Sequence, residues 1–341
     1  MSHIKKLEFG NYTLKFGSEK VLLDLFDEVV MPSFFEMKYI RRLEGKCDYF
    51  FLDTKLVKLN SDESNPVIGI SGRIVKNTKL KRDQIFRPEG GLIEDKSELE
   101  TAPSSTFLLI LNNHRLILCK EVSGGPTIQN FQSTSEYCLK ARHKEFIDEL
   151  FNKFKEERDL NPNLERITKL SLIEKSPYPS LRITPLSDKE SLKTFVSRFD
   201  HIDKITITLL STNSEEINND DFWSDFRKKG EDINSIAAKV EFSNSKKGLD
   251  NNSVYTQAMS ASKLGNSEIK LKGYDSQGDT IRGTNDDFSL SVDLLELPKK
   301  PEKAATVKYN QFMALAEAGV ITLPAVPQNI IGKIKEIFGR L

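Results

Sequence analysis

Cysteine is scarce in this chain: Cys47, Cys119 and Cys138 are the three among 341 residues. Their uneven spacing excludes a disulfide framework and fits a reducing compartment. No CxxC pair exists, and the four histidines, His3, His114, His143 and His201, stand at no metal-ligand spacing. No metal site and no cofactor are therefore expected, and His114 reads as a structural or surface residue of a turn. Net charge is also missing, because 50 basic residues balance 50 acidic ones. Any anionic partner has to be read from local clustering. No apolar run spans a bilayer: the densest, "FLLIL" at 107–111, is far too short. The opening "MSHIKKLEFGNYTLKF" carries no leader-like apolar stretch, so a cytoplasmic protein is expected. Nucleophile and phosphate-loop motifs are absent too. "GISGR" at 69–73 lacks the spacing of a serine elbow, and "GNYTLKFGSEK" at 10–20 lacks that of a phosphate loop.

What is present describes a globular protein. Hydrophobic residues make up 38% and charged residues 29%, enough apolar material for a core. The length suits two domains, or one domain with a large insertion. Residues 19–30 have helical apolar spacing ended by Pro32. "KCDYFFLDTKLVKLN" reads as a strand pair and "PVIGISGRIVKNT" as a further strand. Residues 104–122 form the clearest hairpin, with Asn112-Asn113 at its turn. The spacing predicts a helix over 140–158 with Phe146, Ile147, Leu150, Phe151 and Phe154 buried. "NPN" at 161–163 marks a boundary.

Beyond it, strands are expected at 167–174, 180–185, 203–210, 236–242, 268–274 and 286–295. Helices are expected near 187–199, around Phe222, Trp223 and Phe226, and near 251–263. "PKKPEK" at 298–303 punctuates again before a helical tail. The fold class is α+β: two domains, each a mixed or antiparallel sheet with helices on one face. The first domain is assigned to 1–163 plus 304–341, and an inserted domain to 164–298. Phe312, Met313, Leu315, Val320, Ile321, Ile330, Ile331, Ile334 and Phe338 give the tail enough apolar surface to suggest a homodimer.

Two clusters of charge stand out. In "SEIKLKGY" a period of two puts Lys270 and Lys272 on one face and Ile269 and Leu271 on the other. Arg282, Lys239, Lys246 and Lys247 lie on neighbouring elements, with Glu241 and Glu268 the acids among them. Such a face would meet phosphates as point charges, without reading bases. The alternative is a solvated face that blunts edge pairing. The second cluster holds Arg73, Lys76, Lys79, Lys81 and Arg82, followed by an acidic run over 88–100 that would cancel it locally. An acid two residues before a lysine, the pattern of some metal nucleases, occurs at Glu36, Asp53, Glu94 and Glu268, with Asp250 upstream of the last. Its repetition in so charged a chain makes nuclease chemistry the least favoured reading.

The hairpin "APSSTFLLILNNHRLILCKEVSGGPT", the strand "SLRITPL" and the basic "EIKLKGYDSQGD" follow one another over roughly residues 100–295. In that order they resemble the phage-lambda RexA-type exclusion proteins. Lys272 stands where that family's basic strand has an arginine, and Tyr274 where it has a lysine. The resemblance implies a cytoplasmic dimer, its second domain mobile and inserted in the first, that binds double-stranded DNA with little sequence preference; no catalysis is expected. It also implies a role in phage exclusion or abortive infection beside a membrane-protein partner. The other reading kept open is an interaction subunit of a defence complex, using residues 73–100 as its partner surface.

Overall fold

A computed structural model describes residues 4–35, 37–210, 221–233, 235 and 237–341. The first half contains β1 (Lys5–Phe16), β2 (Lys20–Val21), α1 (Met31–Phe34), β3 (Arg41–Leu43), β4 (Cys47–Lys58), β5 (Ile68–Lys81), β6 (Gln84–Arg87), β7 (Gly91–Glu94), β8 (Glu98–Thr101), β9 (Ser104–Ile110), β10 (Arg115–Lys120) and α2 (Ile128–Leu160). The second half contains α3 (Lys169–Lys175), β11 (Pro179–Pro185), α4 (Lys189–Val196), β12 (His201–Leu210), α5 (Asp221–Asp232), β13 (Ala237–Ser243), α6 (Asn251–Ser262), β14 (Ser267–Tyr274), β15 (Thr280–Thr284), β16 (Ser291–Leu294), α7 (Pro301–Glu317) and α8 (Gln328–Gly339). The fold class is α+β, with antiparallel sheets.

The large sheet runs β11-β1-β10-β9-β5-β4-β3, with β16 and β2 also on β1 and β8 on β5. Its middle strands are apolar on both sides, which demands cover on both faces. On one face Tyr12, Leu14, Phe107 and Leu116 pack with Phe131 and Leu139 of α2 and with Ile330 and Ile334 of α8. Phe34, Phe51, Phe107 and Phe131 form the aromatic centre, their rings 4.8–6.2 Å apart. On the other face Leu7, Phe9, Leu108 and Ile117 pack with Ala305 and Phe312 of α7. This sheet therefore has helices on both faces, where the sequence suggested one.

The small sheet runs β13-β12-β14-β15. Ile205, Ile207, Ile269 and Leu271 pack on Leu192 and Phe195 of α4, Val254 and Ala258 of α6, and Trp223 of α5. Its other face is open to solvent.

The expected limits of the inserted unit, 164 and 298, do not coincide with sheet membership. Both β11 and β16 pair antiparallel with β1, and a bridge joins Ser187 to Ser289. The small sheet and its helices thus lie between 187 and 289. "NPN" ends a helix, and Pro301 in "PKKPEK" occupies the first turn of α7, where a missing N–H costs nothing.

Other local expectations shift for nameable reasons. Residues 167–174 were expected extended, yet α3 forms because the Thr168 hydroxyl accepts the Ser171 N–H at 3.1 Å. Helix α2 starts twelve residues before the expected 140, capped by Thr127. Its fully buried side chains are upstream ones such as Phe131, Cys138 and Leu139, and of the expected stripe Ile147 alone is buried. Pro32 does not end a helix but sits in the first turn of α1. The expected strand pair at 46–60 is the single strand β4, bulged between Leu52 and Lys55, with Asp53 at φ 53°. Residues 285–288 form a 3-10 turn ahead of β16. In the tail, Phe312, Ile321, Ile330 and Ile334 are buried within the chain itself. The apolar surface that suggested a homodimer is mostly consumed by the two layers of the large sheet. Glu36 and Ile236 lie outside the described residues, as does the side chain of Phe222.

Candidate nucleic-acid interface

Strand β14 alternates as its sequence requires. Ile269, Leu271 and Gly273 turn inward, and Glu268, Lys270, Lys272 and Tyr274 turn outward. Two glycines let the sheet close on its helices. A Cβ on Gly283 would sit 2.1 Å from the Phe195 ring, and one on Gly273 would sit 2.1 Å from the His201 carbonyl oxygen. Both positions demand the missing side chain.

Cross-strand register then assembles the open face in rows. Lys204, Lys272 and Arg282 lie side by side on β12, β14 and β15. One row along, Glu241, Thr206, Lys270 and Thr284 align, and beyond them Lys239, Thr208 and Glu268. At the other end His201 pairs with Tyr274, and Tyr274 with Thr280. Lys204 is offset by Glu241, but Lys272 and Arg282 stand side by side and repel one another, an electrostatic cost that the fold itself does not need.

The acids on this face are already engaged. Glu241 takes Lys204 at 2.8 Å and Lys239 at 3.5 Å, and the hydrogen bond from Lys204 holds its carboxyl below the usual range. Glu268 pairs with Arg182 of β11 at 3.0 Å. Among the described residues, Lys270, Lys272 and Arg282 have no ion-pair partner. The structure thus brings Lys270, Lys272 and Arg282 together as the free positive field and leaves Lys239 partly neutralised. Lys246 and Lys247 are exposed in the turn after β13. That turn is tied to the Lys204 end of the sheet by Asn244 N–H to Asp203 O and Leu249 N–H to Ile202 O, both 2.8 Å. The sequence pattern alone does not single out Lys204 or His201. The alternation in "DKITITLL" did put Lys204 on the wet face, but only register places it beside Lys272.

The second basic cluster has a different character. Arg73 is largely buried and bonds Asp53, Glu121 at 3.0 Å, and the carbonyl of Lys299. It clamps the start of α7 to the sheet and is not available to a ligand. Glu98 holds Lys79 at 2.9 Å and Lys81 at 3.5 Å, and Asp95 holds Arg82 at 3.5 Å. Lys76 is half-buried on β5. The acidic run therefore offsets Lys79, Lys81 and Arg82, while Arg73 is offset by Asp53 and Glu121 outside it. The same arm exposes apolar side chains in register: Leu80 against Leu99, and Phe86 against Leu92.

The remaining candidates are structural. His114 is wholly buried in the β9–β10 turn at φ 51°, and burial pushes its pKa down to about 3. The turn's positive φ falls on His114 rather than on Asn112 or Asn113. Asp250 caps α6 by accepting the Ser253 N–H at 2.8 Å. Among the described residues no three His, Cys, Asp or Glu side chains gather where a metal ion could sit. Among them, too, no helix is long and apolar enough to cross a membrane. A family profile described as a domain of unknown function, DUF4747, matches residues 19–309. No curated protein matches the chain.

Proposed function

The chain belongs to the DUF4747 family, a domain of unknown function, and from its surface we propose that it binds DNA through the phosphates, without sequence preference and without catalysis. The observation that carries this reading is the group Lys270, Lys272 and Arg282, without ion-pair partners among the described residues, on a sheet face whose acids Glu241 and Glu268 are held by Lys204 and Arg182. Lysines so placed act as point charges toward phosphate oxygens, and Arg282 is the one bidentate donor among the unpaired cations of the face. The phage-exclusion setting rests on the resemblance of the three segments alone.

Fluorescence anisotropy with random-sequence duplex DNA at two salt concentrations tests the reading. Each phosphate contact contributes a slope of about −0.9 in log affinity against log salt. The double variant K270E/K272E should keep its fold, lose affinity for all sequences alike and flatten the slope by about 2. Unchanged binding and slope in that variant would sink the proposal.

A second reading has its own observation. The exposed Leu80, Phe86, Leu92 and Leu99 on an arm of paired charges form a surface suited to a protein partner. Under it, the basic face serves only solubility.

A further inference from the structure

The open face carries an aromatic pair as well as charge. Tyr274 and His201 are direct cross-strand neighbours at one end of the two central strands, their ring centroids 6.4 Å apart and 44° inclined. Tyr274 is 36% exposed on the solvent side of the sheet, and its hydroxyl has no hydrogen-bond partner among the described residues. A tyrosine contributes most when its ring is buried and its hydroxyl satisfied, and this one has neither. The free cations Lys272 and Arg282 lie one row along, about 7 Å away at two residues of strand rise. Glu268, held by Arg182, closes the cationic track at its far end.

We propose that this face takes single-stranded nucleic acid in preference to duplex, with one base stacked on the Tyr274–His201 pair and the adjoining phosphates on Lys272, Arg282 and Lys270. The inference rests on the basic-face reading and adds the strand form of the ligand. A duplex hides its base faces within its own stack, so an aromatic platform beside a row of cations gains from an unpaired base alone. Stacking is tolerant of base identity, which agrees with binding without sequence preference.

The test uses the full chain and labelled oligothymidylate of roughly 12 nucleotides, a duplex of equal length and the matching oligouridylate. The wild type should bind the single strands more tightly than the duplex. Y274A should lose roughly 5- to 150-fold on the single strands, with an unchanged salt slope and unchanged duplex binding. Y274F should retain the affinity, which separates the ring from the hydroxyl and from any loss of fold. Preference for duplex in the wild type, or an equal effect of Y274A on both forms, would overturn the proposal. A stronger signal with oligouridylate or oligothymidylate identifies RNA or DNA as the ligand and supports stacking in either case. If K270E/K272E still binds every form as well as the wild type, the basic-face reading itself falls, whatever Y274A does.

Discussion

Lys308 sits wholly buried on α7, its amine donating to the Thr106 hydroxyl of β9 at 2.7 Å. Burial is the largest influence on it and pushes its pKa down to about 7, helped by nearby Arg73 and opposed by Cys119 and Glu121. The folded state therefore holds this proton less tightly than the unfolded chain does. Below about pH 7 both states carry the charge, and the folded state bears the full penalty of burying it. As pH rises from about 7 toward 10.5 the unfolded chain alone still binds the proton, so this group makes stability rise with pH. His114, pushed down to about 3, acts in the same sense at lower pH, costing stability as pH falls below its ordinary range. K308M should stabilise the fold by about 1–3 kcal/mol at neutral pH, since an apolar side chain of similar length avoids burying a charge. It should also flatten the rise of stability between pH 7 and 10. Urea unfolding across that range measures both effects, and a variant less stable than wild type at neutral pH would contradict them.

Among the elements, the arm from Thr78 to Thr101 depends least on the rest. Among the described residues strands β6 and β7 pair only with each other, and a lone two-stranded ribbon is marginal in water. Its ion pairs are mostly solvent-exposed, worth about 0–1 kcal/mol each. The Asp95 N–H donates to the Asp83 carbonyl at 3.0 Å, so the two ends of the hairpin already touch. Replacing residues 84–94 by a short Asn-Gly turn should therefore change unfolding stability by less than about 1 kcal/mol. It should leave DNA affinity intact, because the free cations lie on β14 and β15. Loss of DNA binding in that deletion, measured by anisotropy, would move the nucleic-acid site to the arm. Loss of a protein partner from pull-down, with DNA binding kept, would assign the arm to protein contact.

At the scale of the molecule, the two sheets are joined by more than covalent continuity. Residues 264–266, between α6 and β14, are buried against the large sheet. Asn11 donates to the Gly265 carbonyl at 3.3 Å, and Arg115 to that of Leu264 at 3.2 Å. Gly265 has φ +68°, and a Cβ there would meet Leu186 at 2.7 Å and Asn11 at 3.2 Å. G265V should cost about 2–4 kcal/mol through left-handed strain and overpacking. It should also loosen the seam selectively. Trp223, the single tryptophan, is buried in the core of the small sheet and reports on that unit alone. Its fluorescence and the far-UV circular dichroism should unfold together in the wild type. In G265V the tryptophan transition should come first, and coincident transitions there would show that the seam does not set the coupling.

The period of two in "SEIKLKGY" alone determined which side chains of β14 meet water and which meet the core, because alternation is a property of the strand itself. The β9–β10 hairpin and the pairing of Lys79, Lys81 and Arg82 with the acids of 88–100 were equally legible, since their partners are close in sequence. Tertiary structure decided what lies beside what. Whether β11 and β16 join the small sheet or the large one depends on β1, which is far from both in sequence and pairs with both, from Phe16 with Pro179 to Lys5 with Leu294. No local pattern marks that choice. The same holds for Lys204, distant in sequence from the β14–β15 hairpin and set in one row with Lys272 and Arg282 by strand register alone. It holds for Arg73, whose charge was visible but whose capture by Asp53, Glu121 and Lys299 was not. Periodicity assigns each residue a face, and long-range pairing assigns each face its neighbours.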